Sequence, residues 1–255
     1  MTVTIKNAQE IEKMEAAGHL VARIHSLIEP AIVPGVTTAE LDEIARVTLA
    51  EAGAVSSFLG YHGYPAHICA SVNDEIVHGI PGKRRLENGD VISVDVGAIL
   101  DGYHGDSAWT YGVGDISEEA AALLRDTEAA LYQAVEAARS GNRLGAIGHA
   151  VEEYARPLGR GIVREYGGHG IGRSMHEDPH VPNIGEPDRG MVLRTGLTLA
   201  IEPMLTLGSE ETRTLKDKWT VVTADGSWAA HFEHTVAVTP EGGQILTRRL
   251  APVLE

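Results

Sequence analysis

The dipeptide Asp101-Gly102, set between two runs of strand-forming residues, constrains the fold more than any other feature of the sequence. Asp-Gly in this setting is typical of a two-residue β-hairpin loop, because both residues tolerate positive φ. If these residues form the loop, Gly97 lies opposite Asp106 on the paired strand. The side chains of Asp95 and Asp106 then project from the same face as diagonal neighbours, with Cα atoms roughly 7–8 Å apart.

A pair of carboxylates in this position is unfavourable unless a cation is present. The two charges repel each other, and aspartate is disfavoured in strands. Their diagonal placement would let both reach a pair of metal ions about 3.5–4 Å apart, the separation found in two-metal hydrolases. Taken alone, the pair is equally well explained by one aspartate that caps a turn and another that is solvated.

Further polar residues lie in apolar or glycine-rich runs of the second half. His169 lies within the glycine-rich residues 167–172, Glu202 ends an apolar run, and Glu233 lies in another. A structural role explains each one separately at least as well as metal binding. Four buried carboxylates and one imidazole are nevertheless expensive without compensation, so together they indicate a metal site.

Helix and strand signals occur twice in the same order. Residues that favour helix starts precede apolar residues at helical spacing at Asn7, Thr37 and Ser117, and a further helix is predicted over about 144–158. Strand-like runs follow each pair of helices. The sequence therefore predicts an α+β fold.

The repeated order divides the chain into two similar halves, about 1–115 and 116–255. An alignment of the halves pairs Gly35 with Gly141 and matches one pair of apolar helix residues. We expect one catalytic domain, 1–255, whose strands form a curved antiparallel sheet covered by helices. The free concave face of such a sheet can hold a site.

Composition excludes several classes of function. Acidic residues outnumber basic ones 36 to 21, and a net charge of −15 argues against binding to DNA. No apolar run reaches the roughly 18 residues that a membrane span needs, and the N-terminus lacks the zones of a secretory signal. Cys69 is the one cysteine, which suits a reducing compartment. We expect a cytoplasmic monomer.

Five segments, in this order, resemble the type I methionine aminopeptidases, and the likeness runs from about Ile5 to Arg248. They are His78-Gly79-Ile80-Pro81-Gly82, Asp95-Val96-Gly97 with Asp106, Gly168-His169-Gly170-Ile171-Gly172, Ala200-Ile201-Glu202-Pro203 and Glu233-His234-Thr235. The resemblance implies the pita-bread fold, with pseudo-twofold halves.

The resemblance also implies a centre of two divalent metal ions. Asp106 and Glu233 would bridge the ions, Asp95 would hold one, and His169 and Glu202 would hold the other. Four carboxylates balance the charge of two divalent cations. A site of oxygen ligands with one histidine suits manganese, iron or cobalt better than a closed zinc site.

The activity implied is removal of the initiator methionine from nascent proteins when the next residue is small. A hydroxide that bridges the ions would attack the scissile bond. Glu202 would also shuttle the proton. His176 would stabilise the developing oxyanion and contact the substrate, and His78 would contact the substrate near the leaving nitrogen.

The methionine pocket implied by the resemblance is aromatic and sulfur-rich, which suits a thioether. Its expected lining is Tyr61, His62, Tyr64, Cys69, Met175 and Trp219. The sequence departs from its relatives in three places. Met175 replaces a common phenylalanine, Phe58 replaces a small residue, and His231 lies unusually close to Glu233.

Two other functions remain open at this point. An Xaa-Pro aminopeptidase or prolidase would use the same ligand set, although such enzymes usually carry a further N-terminal domain for which this sequence has no counterpart. A ribosome-associated pita-bread protein without catalytic activity is the second alternative. The five intact ligands argue against it.

The expected partners are nascent polypeptide N-termini, with a weak ribosome contact. Two basic clusters interrupt the acidic chain: Lys83-Arg84-Arg85, and Arg213 with Lys216 and Lys218. In relatives, a basic loop near the active site touches ribosomal RNA. Ordinary solvated turns explain both clusters as well, the first more readily.

Overall fold

The structure, a computed structural model, describes residues 3–249 of the chain. Its α-helices begin where the sequence predicts them. Asn7 and Glu10 form a reciprocal capping box at the first helix, Thr37 and Glu40 do so at the second, and Ser117 caps the third. The helices are α1 (Ala8–Ile28), α2 (Thr38–Glu51), α3 (Glu118–Ala137) and α4 (Gly145–Ala155).

Short 3-10 turns follow α1 and α4 at Glu29–Ala31 and Arg156–Leu158, each with a proline in its first turn.

The strands of residues 3–249 pair with one another in antiparallel fashion. The strands are β1 (Val55–Ser56), β2 (Ile68–Val72), β3 (Glu75–Val77), β4 (Val91–Leu100), β5 (Tyr103–Gly112), β6 (Gly161–Ile162), β7 (Gly167–Gly170), β8 (Glu177–Pro182), β9 (Thr198–Ile201), β10 (Met204–Thr206), β11 (Thr212–Thr214), β12 (Val221–Thr223), β13 (Ala229–His231), β14 (His234–Thr239) and β15 (Gly242–Ile245).

The β4–β5 hairpin has the predicted loop and register. Asp101 and Gly102 have φ values of 50° and 77°, as a primed two-residue turn requires. Gly97 pairs with Asp106, and Asp95 pairs with Ala108. The two aspartates therefore lie on one face of the hairpin, as predicted.

The strands form four hydrogen-bonded groups. β4 joins β1, β2 and β5 in the first half, and the order β15-β14-β9-β7-β8 forms the largest group of the second. The smaller groups are β13-β10-β6 and β11-β12-β3, and the last of these joins strands from both halves.

Residues 106–110 of β5 face residues 231–235 along a line that we call the seam. Thr235 Oγ1 donates to the Asp106 carbonyl at 2.8 Å and accepts from the Asp106 amide at 3.0 Å. Ser107 Oγ donates to the Glu233 carbonyl at 2.6 Å, and the Glu233 amide donates to Ala108 O at 2.8 Å. The seam thus fixes the backbone at two predicted metal ligands, Asp106 and Glu233.

Helix α1 lies close against β5 because a glycine of each element, Gly18 and Gly105, lies at their contact. A Cβ built on Gly105 would lie 2.7 Å from the Gly18 nitrogen, so only glycine permits this approach.

The largest apolar cluster contains buried residues of both halves, such as Ile24 and Leu131. The architecture is the predicted mixture of helices and antiparallel sheet, while the assignment of 1–255 to one catalytic domain stays a prediction.

Among residues 3–249, no helix is both long enough and apolar enough to cross a membrane.

Candidate metal centre and active site

The five predicted metal ligands line one cavity, although they come from widely separated parts of the chain. The pairing of strands and the seam bring them together. They are Asp95 of β4, Asp106 of β5, His169 of β7, Glu202 directly after β9, and Glu233 between β13 and β14.

Distances within this group suit a shared cation. His169 Nε2 lies 3.9 Å from Asp106 Oδ2 and 3.7 Å from Glu202 Oε1. Ligand atoms of Asp106, His169 and Glu233 all lie within 4.8 Å of one another. Two ligands that each sit about 2.0–2.2 Å from an ion are at most about 4.4 Å apart, so His169 can share an ion with either carboxylate neighbour.

Three carboxylates of the group have buried oxygen atoms without a hydrogen-bond partner among the described residues: Asp95 Oδ1, Asp106 Oδ1 and Glu233 Oε1. Burial raises the pKa of Asp95 to about 7. Burial and the neighbouring carboxylates raise the pKa values of Asp106 and Glu233 well above the ordinary range. A divalent cation would satisfy these oxygens and offset their repulsion, so the residues present fit a metal centre.

Glu202 differs from the other carboxylates. Burial opposes its ionisation, but His231, His169 and His176 outweigh burial and lower its pKa below the ordinary value. Glu202 is therefore a carboxylate at neutral pH even before a metal binds, and it can accept a proton.

His169 is oriented as a metal ligand. Its Nδ1 lies 2.9 Å from the carbonyl oxygen of Gly170, so Nδ1 carries the hydrogen and the lone pair of Nε2 faces the cavity. The strand that carries it packs tightly, because a Cβ on Gly168 would lie 2.1 Å from Ala200 O. This explains the glycines around His169.

His176 lies beside the centre and is held by Tyr61. The tyrosine hydroxyl is 2.8 Å from His176 Nδ1, and the two rings stack at 5.3 Å. Burial, followed by the neighbouring His169, lowers the pKa of His176 to about 4. A neutral imidazole with its Nε2 free can donate a hydrogen bond into the cavity.

His78 lines the same cavity in a strained backbone conformation, with φ 61°. Burial lowers its pKa. Its ring meets the edges of Trp219 at 6.3 Å and Tyr166 at 5.9 Å. Tyr166 is absent from the sequence prediction, because no motif marks it and it meets His78 only through tertiary packing.

The apolar part of the cavity contains most of the residues predicted for the methionine pocket. The whole cavity, which the predicted metal ligands also line, has a volume of about 140 Å³, roughly ten times the 10–15 Å³ that one water requires. The predicted residues that line it are Tyr61, Tyr64, Cys69, Met175 and Trp219. Burial raises the pKa of Cys69 well above its ordinary value, so the thiol stays protonated.

Two residues of the predicted pocket region, His62 and Phe58, differ in their position relative to the cavity. His62 is exposed and is not among the residues that line the cavity; its ring meets that of Tyr61 edge-on, with 4.4 Å between the ring centroids. Phe58 does line it. The ring fits because Gly97 lacks a side chain, since a Cβ there would lie 2.7 Å from Phe58 Cε1.

The two basic clusters differ in their surroundings. Arg84 pairs with Glu75 at 3.2 Å, and Arg85 donates to the carbonyl of Gly35, so these residues have structural partners. Lys216 and Lys218 are exposed between β11 and β12, next to Trp219 of the cavity.

The chain belongs to metallopeptidase family M24, whose model matches residues 12–240. Membership implies the use of divalent metal. A Bacillus subtilis protein named methionine aminopeptidase 1 is 50% identical over 246 residues, which cover 96% of this chain and 99% of the relative.

Solved structures show the same fold. A methionine aminopeptidase from Thermotoga maritima superposes with a TM-score of 0.95 at 43% identity, covering 97% of this chain and 100% of that one. An Xaa-Pro dipeptidase from Bacillus anthracis superposes with a TM-score of 0.76 at 24% identity, covering 96% of this chain but 62% of that one. The predicted pita-bread fold is confirmed.

Proposed function

We propose that this chain is a methionine aminopeptidase, a metal-dependent hydrolase that removes an N-terminal methionine when the next residue is small. One observation carries the proposal: a cluster of carboxylates, three of which have a buried oxygen without a hydrogen-bond partner among the described residues, lines the same cavity as apolar and sulfur-containing side chains. The first part suits metal-assisted hydrolysis, and the second suits a thioether side chain.

The proposed centre holds two divalent ions, of cobalt, manganese or iron. Asp106 and Glu233 would be shared between the ions, Asp95 would bind one, and His169 and Glu202 would bind the other. Bound divalent ions would supply the charge that acidifies a water and polarises the scissile carbonyl.

Glu202 is the proposed proton shuttle. It is ionised at neutral pH, because three histidines lower its pKa against the effect of burial. Its carboxylate can therefore take the proton of the attacking water and return it to the leaving nitrogen.

His176 and His78 act on the scissile bond in this proposal. Neutral His176 donates from Nε2 to the oxygen on which negative charge develops. His78, held at the rim by Trp219 and Tyr166, contacts the peptide near the leaving nitrogen.

Natural substrates are proposed to be the N-termini of nascent polypeptides in the cytoplasm. A weak ribosome contact through Lys216 and Lys218, and a monomeric state, belong to the same proposal.

A peptide assay tests the function. Met-Ala-Ser and an Xaa-Pro peptide should be compared with and without added manganese or cobalt. We expect metal-dependent cleavage of Met-Ala-Ser and a higher kcat/KM for Met-Ala than for Met-Arg peptides. Preferred cleavage of the Xaa-Pro peptide would favour the prolidase alternative, and no cleavage of either would favour a binding protein.

A further inference from the structure

His231 is a buried histidine beside the metal centre, and the effect described for it so far is to lower the pKa of Glu202. It ends strand β13 and its exposed fraction is 2%. The backbone is fixed at the seam: its amide donates to Thr110 Oγ1 at 2.9 Å, and that hydroxyl donates to the His231 carbonyl at 2.8 Å. The direction of the side chain is therefore set by the fold.

The Nε2 atom of His231 is buried and has no hydrogen-bond partner within residues 3–249. The carboxylate of Glu202 lies next to it, with Oε2 at 3.4 Å. The other oxygen, Oε1, faces His169 Nε2 at 3.7 Å. Glu202 thus sits between two imidazoles, one of which is a proposed metal ligand.

We propose that His231 is a positioning residue whose Nε2–H donates to Oε2 of Glu202 and thereby directs Oε1 to the metal centre. The inference rests on the proposed function, because it assigns a role toward the metal that this function requires. An ionised carboxylate needs donors on the oxygen that does not face the cation, and Nε2 of His231 lies beside that oxygen.

A hydrogen bond fits the geometry better than direct metal binding by His231. Nε2 of His231 lies beside Oε2 of Glu202, whereas the proposed ligand His169 lies beside the other oxygen, Oε1. A closure of about half an ångström from 3.4 Å would give the ordinary length of a charge-assisted hydrogen bond, about 2.7–2.9 Å.

Loss of this donor has a definite consequence. Oε2 of Glu202 would be buried without a donor, and the carboxylate could turn away from the position in which Oε1 meets the ion. Residues that orient metal ligands typically contribute about 10–100-fold to metal affinity, so His231 should act on binding as well as on turnover.

The test is calorimetric titration of metal-free protein with Mn²⁺. His231→Leu removes the donor, and His231→Gln places an amide N–H near the position of Nε2. We expect the Mn²⁺ dissociation constant of His231→Leu to rise about 10–100-fold, while His231→Gln stays within a few-fold of wild type. The Co²⁺ absorption spectrum of His231→Gln should match that of wild type.

Each result decides the matter. Unchanged Mn²⁺ affinity in His231→Leu would overturn the positioning role while leaving the proposed function intact. Equal loss in both variants with an altered Co²⁺ spectrum would make His231 a direct ligand instead. If wild type binds no Mn²⁺ or Co²⁺ at all, the proposed function fails together with this inference. Should His231→Leu fail to fold by circular dichroism, His231→Asn, whose amide is too short to reach Oε2, replaces it.

Discussion

The hydroxyl of Tyr61 lies 2.8 Å from Nδ1 of His176, and the two rings stack. Neutral His176 carries one ring hydrogen, and a hydroxyl that donates to Nδ1 places that hydrogen on Nε2. Tyr61, expected from the sequence only as a wall of the pocket, is therefore also a hydrogen-bond partner of His176, and its donation to Nδ1 is what the proposed role of His176 requires.

Tyr61→Phe should keep the stacked ring but lose this hydrogen bond. We expect kcat on Met-Ala-Ser to fall about 3- to 10-fold with little change in KM, the effect of one ordinary hydrogen bond. Steady-state kinetics with a fixed metal concentration checks this. A rise in KM alone would reduce Tyr61 to a wall of the pocket.

His176→Ala should lower kcat by about 10²–10³, because the donor to the developing oxyanion is removed. The variant should still bind metal as wild type does, which elemental analysis after dialysis can measure. Loss of metal from His176→Ala would place this residue among the ligands and contradict its proposed role.

Chelation should abolish activity, and manganese, iron or cobalt should restore it. The metal-free protein should also melt at a lower temperature, because the clustered carboxylates repel one another. Free metal at about 100 times its dissociation constant would add about 2.7 kcal/mol to the free energy of unfolding. Asp106→Ala and Glu233→Ala should lose most of kcat. A thermal melt that chelation leaves unchanged would argue against the cluster.

His25 should make stability depend on pH. Burial lowers its pKa from 6.5 to about 4, and its ring nitrogens contact Tyr111 Oη and Ser107 O. The unfolded state takes up a proton at higher pH than the folded state, so stability present above pH 6.5 is lost as the pH falls toward 4. The loss should be about 3 kcal/mol at most.

Urea unfolding of chelated protein across this pH range measures the effect without interference from metal release. His25→Gln should show a smaller loss of stability on acidification than wild type. His19→Gln, which changes an exposed histidine of the same helix, is the matched control and should behave as wild type. Identical pH profiles for His25→Gln and wild type would contradict the prediction.

Charge reversal at Lys216 and Lys218 should weaken co-sedimentation with ribosomes and leave kcat/KM on a tripeptide intact. The slope of log affinity against log salt should fall by about 1 for each lysine–phosphate interaction that the reversal removes. Lys83→Glu reverses one charge in the other basic cluster and is the control for each single reversal, Lys216→Glu or Lys218→Glu. Salt-insensitive sedimentation of wild type would remove the docking proposal without affecting the aminopeptidase proposal.

The parts of the fold that the sequence predicted are those set by local chemistry. Asp101-Gly102 determines a turn and, through it, the register that places Asp95 beside Asp106. Capping residues fixed the starts of α1, α2 and α3 because their hydrogen bonds close within a few residues.

The placements that the sequence did not predict depend on long-range packing. His62 has a left-handed φ of 47°, and its ring meets that of Tyr61 edge-on. No sequence motif predicts either the φ value or the ring contact. The contact between His231 and Glu202, and that between His78 and Tyr166, likewise exist only after distant strands meet.

The seam also fixes when the protein can become active. Asp106 and Thr235 are 129 positions apart, yet they share two hydrogen bonds beside the proposed metal ligands. Closing so long a loop costs chain entropy, which is recovered only when both sides of the seam are in place. A growing chain that ends before Glu233 lacks one of the clustered ligands. The proposed centre therefore cannot be complete until Glu233 has been synthesised and the two sides of the seam have met.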